Sequence, residues 1–447
     1  MRIMFILSGA PGCGKSTFIT RLDEHARSYA PEGVPEEVSI RDCVVSFDDV
    51  RDMMYPFRSV ADEGGITRES DKRLEKRVVD MTRDVARSRM LAGHMVIVDN
   101  TNTKPKDVNY WVTQAHTFGY TPYIVDCQDG LTVEDVHARN MSRGRKAVPA
   151  HVVDRMFDNA SQLKNRMSQH VKNVDDMFIT PDQAVSIIDE KIGAGVDTKD
   201  YDQVVIFGDV HGHYQEVMRV AGEYGGFDNP RTMFIFVGDM FDRAPTGDDV
   251  VNMWDTVIAP NRDNVIIVEG NHEHNIMTIL AGNAGENQFK QTRKTMNILA
   301  EHGVTTAMLR RFVGELEPAV IVRDQSCDMF VSHAGTVFAS GYNRVVSPAT
   351  EFVYGTSERD KVYRGTSTYS HWADMFIADH AVSDMVQVHG HRNKRDEHDV
   401  YPDVTYGARS TVVNVEAGVT DDAGHLRYVV ARDMMEPQVV NVPVVNG

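Results

Sequence analysis

Short apolar runs alternate with amphipathic stretches through the first half of the chain. Met4–Leu7 is wholly apolar, and Ser16–His25 behind it has a helical pattern. Asp42–Ser46 reads as a second short strand. Leu74, Val78, Met81 and Val85 recur at steps of four, three and four, a helical stripe that ends near Gly93. Met95–Val98 and Tyr120–Val125 read as further strands, Val133–Met141 as a helix, and Pro149–Val174 as more helices. Strands alternating with helices predict a parallel sheet with helices on both faces. Around residues 193–200 the pattern breaks into small and charged residues, and a fresh strand starts at Val204. A domain boundary is therefore expected near residue 197, giving domains 1–197 and 198–447. In the second domain, apolar runs at 204–207, 234–237, 265–268, 330–331 and 388 each lead into polar residues. Thr411–Val415 and Leu426–Val430 would complete a sheet sandwich, and the valine-rich tail after Pro437 predicts no element.

Composition narrows the picture. A chain of 447 residues suits two or three domains. The net charge of −18 argues against non-specific coating of nucleic acid, yet leaves room for a local basic groove. Four scattered cysteines form no metal-ligand pattern and read as reduced thiols of a cytoplasmic protein, or of the host cytoplasm for a viral chain. Too few apolar residues precede the first glycines for a signal peptide, and no segment is long enough to span a membrane. The sequence leaves a homo-oligomer open.

Gly9-Ala-Pro-Gly12-Cys-Gly14-Lys15-Ser16-Thr17 contains a full G-x-x-x-x-G-K-[ST] match between a strand and a helix. Its glycines let backbone N–H groups turn inward as an anion nest at a helix N-terminus. Lys15 would reach the terminal phosphates of a nucleoside triphosphate and Ser16 the Mg²⁺. Asp48 follows a strand end, where it would meet an acceptor hydroxyl or simply cap the next helix. Arg51 is one turn away, placed for an acceptor phosphate. Asp99 ends another strand and would support the Mg²⁺ shell or the loop. Arg139, Arg143, Arg145 and Lys146 form a basic run suited to closing over a γ-phosphate.

These motifs, in this order, resemble the 5′-hydroxyl polynucleotide kinase family over roughly residues 1–173, and the 139–149 segment resembles that family's lid. The resemblance implies ATP and Mg²⁺ on Gly9, Gly12, Gly14, Lys15, Ser16, Thr17 and Asp99. It implies Asp48 as general base, Arg51 on the acceptor phosphate, and Arg139 and Arg143 on the donor phosphates.

A second signature begins at Gly208. Asp209 and His211, then Asp239, Asp242 and Arg243, then Asn271 and His272, then His333, then His391 each follow an apolar strand. Such strand ends converge on one sheet edge, and mixed Asp, His and Asn ligands suit a pair of divalent metals such as Mn²⁺. Two metals sharing a carboxylate can activate a water and clamp a phosphoryl group. The motifs resemble the binuclear metallophosphoesterase superfamily, and so imply an α/β/β/α metallophosphoesterase sandwich after the P-loop kinase domain. They imply Asp209 and His211 on one metal, Asp239 bridging, and Asn271, His333 and His391 on the other. His272 would be the general acid, oriented by Asp242, with Arg243 on the phosphate. His389 is an alternative ligand and Arg364 a second phosphate contact. Ala244 stands where the family usually has Gly, and Arg392-Asn393 where Thr-Pro is commoner.

Together the halves resemble a nucleic-acid end-healing enzyme, acting on RNA or DNA ends with RNA favoured. No K-x-D-G ligase motif is present in the sequence, which implies a separate RNA ligase as downstream partner. The alternative is a phosphatase of phosphoproteins or dinucleoside polyphosphates fused to a small-molecule kinase.

Overall fold

The computed structural model describes residues 2–443 apart from 55–57, 63–64, 70–71, 145–146, 170, 172, 325–326, 356–368, 392–403, 417–424 and 432–437. The first half is built on β1 (Ile3–Ser8), β2 (Val44–Ser46), β5 (Val96–Asp99), β6 (Thr121–Asp126) and β7 (Phe178–Ile179), with a separate hairpin of β3 (Arg58–Asp62) and β4 (Gly65–Glu69). The sheet order is β2-β5-β1-β6-β7, and every pair is parallel. β1 lies at its centre and is buried along its whole length. Its side chains alternate between layers: Met4 and Ile6 pack with Val98, Trp111 and Phe118, whereas Phe5 and Leu7 pack with Leu22, Ile97 and Val125. That two-faced burial is why β1 reads as an uninterrupted apolar run.

Two helical expectations hold, the second with a change of face. Val133–Met141 is a helix with those bounds. The stripe before Gly93 lies on the helix Lys72–Leu91, but its buried face is Val78, Thr82, Ala86 and Met90, and Met81 is exposed. Thr82 is tolerated there because its hydroxyl donates to Val78 O at 2.7 Å. The strand expected over residues 42–46 is shorter, since Ile40–Cys43 forms a 3₁₀ turn capped by Ser39.

The second half contains β8 (Val196–Asp197), β9 (Gln203–Phe207), β10 (Thr232–Phe236), β11 (Val265–Ile267), β12 (Ala319–Arg323), β13 (Met329–Ser332), β14 (Val386–His389), β15 (Val404–Tyr406), β16 (Thr411–Asn414), β17 (His425–Ala431) and β18 (Gln438–Pro443). They form two mixed sheets, β11-β10-β9-β17-β18 and β15-β16-β14-β13-β12-β8. Ile206, Ile235 and Val429 of one face Val320, Val331, Val388 and Val413 of the other. Each such buried side chain is worth about 1.5–3 kcal/mol. β8 pairs with β12, so Val196 and Asp197 join a sheet of the second half. The tail forms β18, which pairs antiparallel with β17.

The halves meet along a buried seam. Arg2 donates to both carboxylate oxygens of Glu269 at 2.8 and 2.7 Å, and His274 Nδ1 lies 2.9 Å from the same carboxylate. Gly119 and Gly314 bring two backbones together, since a Cβ on Gly314 would stand 3.0 Å from Gly119 O. Tyr342 Oη donates to Val38 O at 2.8 Å. Among the described residues no helix is long and apolar enough to cross a membrane.

Candidate active sites

In the first site, β1 ends in the glycine loop and the helix Lys15–Arg27 starts from Gly14, whose φ of 101° requires glycine. Gly12 has φ 96°, and a Cβ there would stand 2.6 Å from Val136 O and 2.9 Å from Asn140 N. The helix bearing Arg139 therefore packs directly on the loop. Lys15 Nζ donates to Gly9 O at 2.8 Å and Ala10 O at 3.1 Å, folded over the nest. A cavity of about 660 Å³ is lined by Gly12, Gly14, Lys15, Ser16, Thr17, Arg139 and Arg143. A second, of about 350 Å³, is lined by Lys15, Ser16, Asp48, Arg51, Asp99 and Arg143. Lys15, Ser16 and Arg143 line both.

The sequence left two roles open for Asp48. Here Ser46 Oγ caps the helix Phe47–Met54 by accepting from Asp49 N at 3.2 Å, and the Asp48 carboxylate pairs with Arg51 in the smaller cavity. Arg51 is also gripped by both oxygens of Glu75, at 2.8 and 3.1 Å. Asp99 ends β5, and burial raises its pKa against the pull of Lys15. Asn102, at φ 40°, donates to Leu7 O at 2.9 Å, while its carbonyl accepts Ser8 Oγ at 3.1 Å. The 99–103 segment thereby braces the end of β1. Sequence reasoning missed Glu75, which belongs to no contiguous motif, and gave no role to Asn102 within the stretch 99–103.

The second site gathers residues after β9, β10, β11, β13 and β14. The first three are parallel in one sheet and the last two parallel in the other, so their C-terminal ends meet. His211, Asp239, Arg243 and His391 all have positive φ, 42°, 52°, 72° and 62°. Each such conformation costs about 1–3 kcal/mol. The turns are held by bonds between motifs: His211 N to Asp239 O at 2.8 Å, and Gly390 N to His333 O at 2.9 Å.

Asp239 is the hub. Its Oδ2 lies 3.7 Å from His211 Nε2 and from His272 Nε2, and its Oδ1 3.7 Å from His333 Nε2. Two sets, His211–Asp239–His272 and Asp209–Asp239–His333, each bring three ligand atoms within 4.8 Å of one another. Asp209 and His333 fall in one of these sets and His211 in the other, with Asp239 common to both. His211 Nδ1 faces Asp242 O at 2.8 Å and His333 Nδ1 faces Val237 O at 2.7 Å. Donating there leaves each Nε2 lone pair directed at Asp239. Asn271 Oδ1 is 3.1 Å from His333 Nε2 and 3.0 Å from His391 Nδ1. Burial pushes His211 down to about 4, which keeps it a neutral ligand. Burial, then the charges of Glu416 and Asp239, raise Asp209. Crowded carboxylates and neutral imidazoles fit divalent cations.

His272 Nδ1 is 2.6 Å from Asp242 Oδ2, and Arg243 is exposed at the mouth. His389 turns away, with Nε2 3.1 Å from Asp374, so it is not at the centre. Arg364 and Arg392-Asn393 lie outside the described residues. Ala244 fits against Gly212, where an added Cβ would stand 2.3 Å from its methyl. Sequence reasoning gave no role to Glu273, which accepts from Asp239 N at 2.7 Å and Met240 N at 2.9 Å. It also missed Glu416, and Thr292 and Thr295, whose hydroxyls donate to Asp242.

Residues 4–163 match the family model described as AAA domain, and residues 203–408 the one described as calcineurin-like phosphoesterase. The chain joins a P-loop domain to a calcineurin-like phosphoesterase domain. Among curated proteins it is similar to serine/threonine-protein phosphatase T of Schizosaccharomyces pombe, 30% identical over 106 residues, which is 24% of this chain and 22% of that protein. Phosphatase T of Saccharomyces cerevisiae is 24% identical over 99 residues, 22% of this chain and 19% of that protein. The chain thus spans about a fifth of the length of these relatives. Among solved structures, a chain described as a diadenosine tetraphosphatase has 14% identity and a TM-score of 0.36, covering 56% of this chain and 98% of its own. A serine/threonine phosphatase from S. cerevisiae has 14% identity and a TM-score of 0.35, covering 64% and 97%.

Proposed function

We propose that the chain heals broken nucleic-acid ends, phosphorylating a 5′-hydroxyl with ATP and removing a 3′-phosphate or 2′,3′-cyclic phosphate, with RNA the favoured substrate. The observation that carries this reading is the pair of cavities meeting at Lys15, Ser16 and Arg143. The larger takes the triphosphate of ATP, and Ser16, which lines both cavities, together with Asp99, which lines the smaller, would hold its Mg²⁺. The smaller takes the acceptor end. Asp48 accepts the proton of the 5′-hydroxyl as the hydroxyl oxygen bonds to the γ-phosphorus and the bond to the β–γ bridging oxygen breaks, releasing ADP, and Arg51 turns from Asp48 to the neighbouring phosphate. Lys15, Arg139 and Arg143 neutralise the transferring group. Removing one such charge costs about 10²–10³ in rate.

In the second site Asp209, His211, Asp239, Asn271, His333 and His391 would hold two divalent cations, Mn²⁺ favoured. When bound, these supply Lewis acidity to the phosphoryl group and to water. Arg243 binds the phosphate at the mouth, and His272 protonates the departing oxygen. The resulting 5′-phosphate and 3′-hydroxyl are the ends a separate ligase joins. A second reading is hydrolysis of phosphoproteins, favoured by the similarity to phosphatase T, or of dinucleoside polyphosphates.

One RNA carrying a 5′-hydroxyl and a 3′-phosphate separates these readings when incubated with ATP, Mg²⁺ and Mn²⁺. Lys15→Ala is expected to lose only 5′ phosphorylation, and Asp209→Ala only 3′ dephosphorylation. Wild-type protein that changes neither end yet hydrolyses a phosphopeptide or a dinucleoside polyphosphate would refute end healing.

A further inference from the structure

We propose that Thr292 and Thr295 are positioning residues for phosphoester cleavage, holding Asp242 so that His272 presents its Nε2 to the leaving oxygen; this rests on the phosphoesterase reading of the second site. Both threonines lie one turn apart on the helix Lys290–Glu301, 1% and 4% exposed. Thr292 Oγ1 donates to Asp242 Oδ2 at 2.5 Å and Thr295 Oγ1 to Oδ1 at 2.6 Å. Asp242 is itself 2% exposed, and the oxygen bonded by Thr292 also faces His272 Nδ1 at 2.6 Å.

A buried threonine in a helix ordinarily satisfies its hydroxyl on the carbonyl four residues back. Thr82 does so on Val78 O, and Thr278 on His274 O. Thr292 and Thr295 instead reach a carboxylate 50 and 53 residues earlier in the chain. With a donor on each oxygen, the carboxylate cannot rotate about its Cβ–Cγ bond, and the plane of the imidazole bonded to it is set. His272 Nε2 then stays on the Asp239 side, 3.7 Å from Oδ2. As water adds to phosphorus, the bond to the ester oxygen breaks with its electron pair. That oxygen takes the Nε2 proton, and the proton released by the water restores the imidazolium. Misaligned Nε2 penalises esters whose oxygen needs that proton and spares those whose oxygen leaves unaided.

The test compares an alkyl phosphate with p-nitrophenyl phosphate, using the full chain loaded with Mn²⁺. Thr292→Val is expected to lower kcat on the alkyl ester about 10- to 100-fold, part of the roughly 10²–10⁴-fold that a general acid contributes because the imidazole is misaligned but still present, and on the aryl ester less than about threefold. KM and bound Mn²⁺, read by elemental analysis, stay at wild-type levels, and Thr292→Ser restores the alkyl rate. Thr295→Val, on the other oxygen, gives the same contrast should Thr292→Val not fold. Equal losses on both esters, or no loss on either, overturn the proposal. Wild-type protein that hydrolyses neither ester removes the phosphoesterase reading, and the proposal falls with it.

Discussion

Cys13 stands inside the phosphate loop, where its surroundings favour the thiolate. Its thiol lies beside Cys127, and its Sγ is 3.6 Å from Lys15 Nζ. The Cys127 contact and the Lys15 ammonium hold it below the ordinary thiol range against the effect of burial, while Cys127 is pushed up. The thiolate fraction rises as pH rises through a thiol's pKa, so at neutral pH Cys13 is expected to carry more thiolate than an ordinary thiol near 8.5, which is mostly protonated there. Both cysteines line the larger cavity. Iodoacetamide at pH 7 should therefore label Cys13 ahead of the partly exposed Cys327, and ATP should protect it; peptide mapping by mass spectrometry reads this. Labelling led by Cys327, or indifferent to ATP, would contradict the assignment. Sequence alone presents Cys13 as one of four scattered thiols, because its partner is brought to it by the pairing of β1 with β6. The residues of the second site are legible for the opposite reason, since three of the five motifs pack two or three of them onto one strand end.

At the scale of the element, the helix Val133–Met141 decides where Arg139 and Arg143 stand. Thr132 and Asp135 close a capping box at its start. At its other end Asn140, 1% exposed, donates to Val148 O at 2.7 Å and accepts from Val148 N at 3.1 Å. These two bonds close the loop that carries Arg143. Asn140→Ala should raise the KM for ATP in 5′ phosphorylation several-fold, leave phosphoester hydrolysis intact, and cost about 1–3 kcal/mol of stability by leaving buried groups unpaired. Equal loss of both activities in steady-state assays would count against a local role. This helix was readable because its cap, length and periodicity agree. β18 was not, because an edge strand with Val439, Val440 and Val442 around Asn441 lacks strict alternation. The buried face of Lys72–Leu91 was misread at Met81 because Thr82 is polar by composition yet satisfied within its own helix.

Across the whole molecule the Arg2–Glu269 pair joins the two halves with side chains only 4% and 0% exposed. Burial alone would raise the Glu269 carboxyl, but Arg2 and His274 hold it well below the usual range. Removing one member of such a pair strands the other charge. Arg2→Met should cost about 3–5 kcal/mol, and the double variant Arg2→Met, Glu269→Leu should recover most of it. Urea unfolding of the three proteins measures both steps, and a double variant no more stable than the single one would argue that the pair is not the main tie. Neither partner is notable in the sequence, since a lone arginine before a strand and a lone glutamate after one carry no pattern.

That pair also sits at the roots of both sites. Arg2 precedes the strand that feeds the phosphate loop, and Glu269 comes two residues before Asn271. The halves are therefore not interchangeable cassettes. A chimera that grafts either one onto another scaffold must carry over the facing arginine or glutamate, or it will set a naked charge against the base of the remaining catalytic centre.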